Sequence, residues 1–265
     1  MEKKFFQIDS KTKICYYENI TNRNNIAIII IHGLGEHKGR YDDFTMNMLS
    51  KDVSSFALDL RGHGESTGRR GYIRKFDDYV NDLDYFIAMI KRKFPWLKLY
   101  LFGHSLGGLI VTRYLLRDNK IDGAVLSNPL FLKIKGINCL KLFPYKILGF
   151  LKIRKRISES KEMMQYSYND PLAVNYYSIR LLGEIFLKGV PSVVNNLEKI
   201  NKPLLILRGK KDPVISSRRF YNEIFNIDNS LFTFRSYEKL RHRLLQSDEK
   251  GKVMEDIYEW IIARK

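Results

Sequence analysis

A serine hydroxyl becomes a useful nucleophile only beside a base that takes its proton and a third group that holds that base. Gly103-His104-Ser105-Leu106-Gly107 has the form G-x-S-x-G. In that pattern the serine occupies a tight strand-to-helix turn and the flanking glycines leave room for it. The chain has five histidines, His32, His37, His63, His104 and His242. Where a serine sits on such a turn, the acid and then the histidine follow it in the chain. Only His242 follows Ser105, so His242 is the candidate base. Acidic residues between the two include Asp118, Asp122, Asp170, Glu184, Asp212 and Asp228. Asp212 stands just past the carboxyl end of an apolar run at 203–207. Parallel strands deliver functional groups at that end, so Asp212 is the candidate orienting acid. Asp118 and Asp122 flank the amino end of another run, and Asp170 falls in a stretch without strand–helix alternation. An oxyanion needs two backbone donors. Leu106, directly after the serine, supplies one. The run 26–31 ends in His32-Gly33-Leu34-Gly35, where Leu34 N–H is the expected second donor and Gly33 the alternative. His32 itself reads as a structural hydrogen-bonding residue.

Groups so far apart in sequence meet only if a sheet brings several strand ends to one edge. Apolar runs at 26–31, 53–58, 97–102, 121–126, 203–207 and 231–234 are the expected strands. Their near-continuous apolarity fits a parallel sheet buried on both faces. Helical patterns alternate with them. In 75–92, Phe76, Tyr79, Val80, Leu83, Phe86, Ile87 and Ile90 make one stripe, with Asp77 and Asp78 at its start and Lys91-Arg92-Lys93 at its end. Residues 105–117 and 247–263 read as further helices. The expected fold class is therefore α/β, with a mostly parallel central sheet and helices on its faces. Residues 1–20 could add an antiparallel edge hairpin. Residues 128–190 break the alternation and read as a mostly helical insertion, leaving 1–127 and 191–265 as the core.

The chain has 265 residues, a formal charge of +17 and 45% hydrophobic residues, too apolar for a disordered chain. Two cysteines cannot build a disulfide framework and point to a reducing compartment. The longest uninterrupted apolar run is Ile26–Ile31, far short of the roughly 20 residues a spanning helix needs. The amino terminus lacks the apolar stretch of a signal peptide. A cytoplasmic protein is expected, with a place at the membrane surface allowed by the charge. No CxxC or HExxH pattern suggests a metal, and the proposed chemistry calls for no cofactor.

Three longer signatures resemble one family. They are His32-Gly33-Leu34-Gly35-Glu36-His37 with Gly39-Arg40-Tyr41, then Asp59-Leu60-Arg61-Gly62-His63-Gly64-Glu65-Ser66 with Gly68, Arg70 and Gly71, and last Gly103-His104-Ser105-Leu106-Gly107-Gly108. Together they resemble the monoacylglycerol lipase and lysophospholipase branch of the α/β-hydrolases, the serine aminopeptidase S33-like group. The likeness extends to 209–214 and 237–242 and fades in 131–190. It implies an α/β-hydrolase fold, Ser105, Asp212 and His242 as the triad, and Leu34 and Leu106 as oxyanion donors. It also implies a cap at 128–190 and structural roles for 61–65. The sequence departs from the family's usual pattern at Arg243, where an acidic residue is common.

The expected activity is hydrolysis of carboxylic esters of lipids through an acyl-enzyme. A small-molecule carboxylesterase, a thioesterase or an acyltransferase would use the same triad. An aminopeptidase would want acidic cap residues for a substrate amine, and this insertion has few. A dehalogenase would need Asp at position 105. A non-catalytic binding protein would not need the triad. No nucleic-acid partner is expected: only the charge suggests one, no recognition motif is present, and the basic cluster is interleaved with aliphatics rather than stacking aromatics. Residues 131–156 hold eight basic residues, Lys133, Lys135, Lys141, Lys146, Lys152, Arg154, Lys155 and Arg156, and no acid. Fourteen of these 26 residues are apolar, among them Phe131, Leu142, Phe143, Phe150 and Leu151. That composition fits contact with an anionic membrane as well as with a lipid substrate.

Overall fold

The computed structural model describes residues 1–117, 120–131, 145–146, 149–154, 169–215, 224, 227 and 230–264. The strands are β1 (Glu2–Gln7), β2 (Lys13–Asn19), β3 (Ile26–Ile31), β4 (Ser54–Leu58), β5 (Lys98–His104), β6 (Gly123–Ser127), β7 (Lys152–Arg154), β8 (Tyr176–Ser178), β9 (Leu204–Gly209) and β10 (Phe232–Tyr237). The helices are α1 (Asp42–Ser50), α2 (Asp77–Lys93), α3 (Leu106–Leu115), α4 (Ile179–Gly183), α5 (Val190–Val194) and α6 (Lys250–Ile262), with a π turn at Glu184–Gly189.

Eight strands form one sheet in the order β1-β2-β4-β3-β5-β6-β9-β10. β3 pairs in parallel with β4 and β5, and β5–β6, β6–β9 and β9–β10 are parallel as well. β1 and β2 form the antiparallel edge hairpin, β2 pairing with β4. Each apolar run became a strand within a few residues. β3 is buried along its whole length and alternates its contacts. Ala27, Ile29 and Ile31 pack with Leu99 and Leu101 on one face, under α2 and α3. Ile26, Ile28 and Ile30 pack with Tyr100 and Phe102 on the other, against Phe44 of α1 and Ile257 and Trp260 of α6. A strand covered on both faces has no polar side, which is why the runs are continuous. α2 buries the expected stripe Tyr79, Val80, Leu83, Phe86, Ile87 and Ile90, and its acidic start and basic end suit the helix dipole.

The register sets the site. Ile31 lies opposite Gly103, His104 opposite Ser127, Ser127 opposite Leu207, and Gly209 opposite Tyr237. The loops after β3, β5, β6, β9 and β10 therefore leave the sheet at one edge, where parallel sheets place their functional groups.

Between β6 and β9 the described residues include α4, the π turn and α5, and also the antiparallel pair β7–β8. The sequence pattern at these positions suggests helix. In β8, Tyr177 and Ser178 are buried, and Ser178 N–H bonds Gly71 O at 2.8 Å, so contact with the core selects the extended form. Among the described residues no helix is long and apolar enough to cross a membrane.

Candidate active site

Ser105 connects β5 to α3 with φ 50° and ψ −112°, a conformation that costs a non-glycine residue about 1–3 kcal/mol. The turn is possible because Gly103 and Gly107 lack side chains. A Cβ on Gly103 would lie 2.6 Å from the Gly107 carbonyl, and one on Gly107 would lie 2.1 Å from Ile31 O. Ser105 N–H bonds Ser127 O at 3.0 Å, tying the turn to β6. Among the described residues the Ser105 hydroxyl has no hydrogen-bond partner.

His242 lies in the loop after β10 and is 6% exposed. Its Nδ1 is 2.7 Å from Asp212 Oδ2. The other Asp212 oxygen accepts from Val214 N–H at 2.7 Å and Ile215 N–H at 3.0 Å. Burial by itself would raise the Asp212 carboxyl, but the bond and charge of His242 and the two N–H groups hold it below its ordinary value. The ring centroids of His242 and His104, the neighbour of Ser105, are 4.7 Å apart. Asp212 and His242 thus meet across 30 residues beside the serine's turn.

Two further expectations concern the oxyanion donors. Gly33 N–H donates to Glu36 Oε2 at 3.0 Å and is committed. Leu34 and Leu106 N–H groups have no acceptor among the described residues, and Leu106 opens α3, whose N-terminus favours negative charge. Among the described residues the other candidate acids are engaged elsewhere. Asp170 bonds His37 at 2.8 Å, Asp122 accepts Leu99 N–H at 2.8 Å, and Glu184 accepts Phe76 N–H at 3.0 Å. Asp118 and Asp228 lie outside the described residues. His32 is structural, with Nδ1 donating to Gly33 O at 2.8 Å and Nε2 accepting Leu60 N–H at 3.0 Å.

Sequence reasoning missed three supports. Asn128 is fully buried with φ 41°. Its Nδ2 donates to the carbonyls of His242 at 2.7 Å and Arg241 at 3.2 Å, while its Oδ1 accepts Gly209 N–H at 3.1 Å. It clamps the histidine loop to two strand ends, a role its position just past an apolar run only hints at. Glu36 meets Arg243 Nε at 3.0 Å, although 207 residues separate them. The third is an ion cluster under the 59–66 loop. Lys38 Nζ lies 2.9 Å from Asp59 and 2.6 Å from Glu65. Cys15, Asp59 and Glu65 have donor atoms within 4.8 Å of one another, close enough for a metal, but this ammonium already supplies positive charge there. The segment 170–178 braces the same edge from above: Val174 N–H bonds Gly35 O at 3.0 Å, and Arg70 donates to Leu172 O at 2.7 Å.

The chain resembles known proteins throughout. It is 30% identical to the monoglyceride lipase homolog of Monkeypox virus, over 98% of this chain and 97% of that one. It is 30% identical to phospholipase YtpA of Bacillus subtilis, over 86% and 91%. The solved structure of Paleococcus ferrophilus monoacylglycerol lipase superposes with a TM-score of 0.79 at 25% identity, over 96% of this chain and 99% of that one. The family model described as serine aminopeptidase, S33, matches residues 22–249. That stretch takes in the sheet from β3 to β10 with every loop on the functional edge, and the chain therefore belongs to the serine aminopeptidase S33 family of α/β-hydrolases.

Proposed function

We propose that this protein is a serine hydrolase that cleaves carboxylic esters of lipids, with monoacylglycerols and lysophospholipids as its substrate class. The observation that carries the reading is the buried 2.7 Å Asp212–His242 bond beside a strained serine turn. Asp212 takes Nδ1 of the imidazole, which leaves Nε2 to accept the Ser105 proton as the hydroxyl attacks the acyl carbonyl. Leu34 and Leu106 N–H groups receive the oxyanion; losing one such donor typically costs about 3–4 kcal/mol. The imidazolium then protonates the leaving alcohol, and the acyl group stays on Ser105. Water, deprotonated by His242, attacks that ester; the imidazolium returns the proton to Ser105 Oγ as its bond to the acyl carbon breaks, and the carboxylic acid leaves. The relatives named a monoglyceride lipase homolog and a phospholipase both point to lipid esters.

In this reading the described part of the 128–190 insertion caps the edge, and part of it meets the lipid surface. Phe150 (57% exposed), Leu151 (43%), Ile153 (48%) and Tyr176 (50%) present apolar side chains to solvent beside Lys152 and Arg154. Basic and apolar groups so placed suit an anionic interface. Of the other basic residues in 131–156, Lys146 is described, while Lys133, Lys135, Lys141, Lys155 and Arg156 lie outside the described residues.

The test is a screen of purified protein on monoacylglycerols and lysophospholipids of varied acyl length, beside simple esters and with Ser105→Ala as blank. Turnover of a lipid ester that vanishes in Ser105→Ala, together with loss of fluorophosphonate labelling, is expected. Labelling that persists in Ser105→Ala would remove the nucleophile.

A further inference from the structure

Glu36 is a buried carboxylate with four neighbours. Its Oε2 accepts Gly33 N–H at 3.0 Å and Tyr41 OH at 2.8 Å. Its Oε1 meets Arg243 Nε at 3.0 Å and lies 4.0 Å from His104 Nε2. Two consequences follow. The Gly33 bond turns that N–H into the protein and leaves Leu34 N–H as the unclaimed donor of the loop after β3. The Arg243 pair fastens the same loop to the residue next to His242. Arg243 is itself held: its carbonyl accepts Gln246 N–H at 3.3 Å, and Gln246 Nε2 donates to Arg40 O at 2.9 Å. The Arg243 and Glu36 side chains are 13% and 6% exposed, so removing either leaves a charge with little water to replace its partner.

We infer that Arg243 is a positioning residue which, through Glu36, locks the loop presenting Leu34 N–H to the loop carrying His242, so that oxyanion donor and base keep one fixed spacing. The inference rests on the ester-hydrolase reading above. Neither residue touches the reacting atoms in this account. Glu36 sets which backbone N–H faces the substrate oxygen, and Arg243 holds Glu36 and the histidine loop in mutual register. Preorganised donors act only where the oxyanion forms, so a loosened loop weakens transition-state binding more than ground-state binding.

The test compares wild type, Arg243→Met, Arg243→Lys, Glu36→Gln and the double variant Arg243→Met/Glu36→Gln on p-nitrophenyl butyrate, with Ser105→Ala as blank. Arg243→Met should lower kcat by about 100-fold with KM near wild type. Arg243→Lys, which keeps the charge, should recover part of that loss. The double variant should be no slower than the slower single one, because both changes break one link. Hydrogen exchange, which needs no turnover, should show the 32–37 segment losing protection in Arg243→Met while α2 keeps its own. Normal kcat in Arg243→Met, losses that multiply in the double variant, or unchanged protection of 32–37 would each overturn the inference. If instead wild type gives no turnover above Ser105→Ala, the ester-hydrolase reading fails, and the exchange result still decides whether the two loops are locked.

Discussion

At the scale of single residues, the candidate site is held together by buried side chains outside the triad candidates. Asn128 is the plainest case. Asn128→Ala would strip the His242 and Arg241 carbonyls and the Gly209 N–H of their buried partner. Leaving such groups unsatisfied costs about 1–3 kcal/mol each. The variant should unfold at lower urea and turn over a short ester more slowly, with KM little changed; unfolding and kcat both at wild-type values would show that the clamp is dispensable. The triad candidates were legible because Ser105 lies in a G-x-S-x-G turn, His242 is the one histidine after it, and Asp212 stands at a strand's carboxyl end. Three rivals to Asp212 have other partners: Asp170 answers to His37, Asp122 to the Leu99 backbone and Glu184 to the Phe76 backbone. Asn128 and the Glu36–Arg243 pair were not legible, because nothing local to any of them names its partner.

At the scale of elements, two glycines in helices behave oppositely, and neighbours decide why. Gly107 in α3 faces the Ile31 carbonyl, and an added Cβ would sit 2.1 Å from it. Gly251 in α6 has nothing within 4 Å of an added Cβ. Gly251→Ala should raise stability by about 0.5–1 kcal/mol, the ordinary helix preference for alanine. Gly107→Ala should lower it by several times that amount, since β3 must shift. Urea unfolding of both variants checks this, and a stabilising Gly107→Ala would contradict the packing described. The strands were readable because a strand covered on both faces must be apolar throughout. The β7–β8 pair was not, because three-residue strands carry no period and owe their form to contacts such as Ser178 with Gly71.

At the scale of the whole molecule, burial sets the response to acid. It pushes His63 down to about 3 and His104 down to about 4, although Glu36 pulls His104 the other way. Glu36, despite burial, is held well below the carboxylate range by His104 and Arg243 and by bonds from Tyr41 and Gly33. Hydrogen bonds from Lys38 and Lys3 bring Glu65 to about 2. In each case the unfolded chain takes up protons before the folded one, so stability rises with pH through these windows. Asp82 and Asp42, raised mainly by burial, oppose this in part. Calorimetry should show Tm falling as pH drops from 6.5, the ordinary histidine value, toward 4, and falling further once carboxylates below their ordinary 4.5 are engaged. A Tm constant from 7 to 4 would contradict it. The charge of +17 acts outward instead. Anionic vesicles should bind the protein more than neutral ones, with salt erasing the difference, and equal binding at low salt would remove the interfacial role. By itself the sequence determined the chemistry available and the sheet that could host it, because nucleophile turns and buried strands leave local patterns in residue type. Tertiary structure alone decided which N–H of the loop after β3 is already bonded and what holds the histidine loop. Those choices are made by buried polar groups whose partners lie as far as 207 residues away, and only the folded backbone brings them within bonding distance.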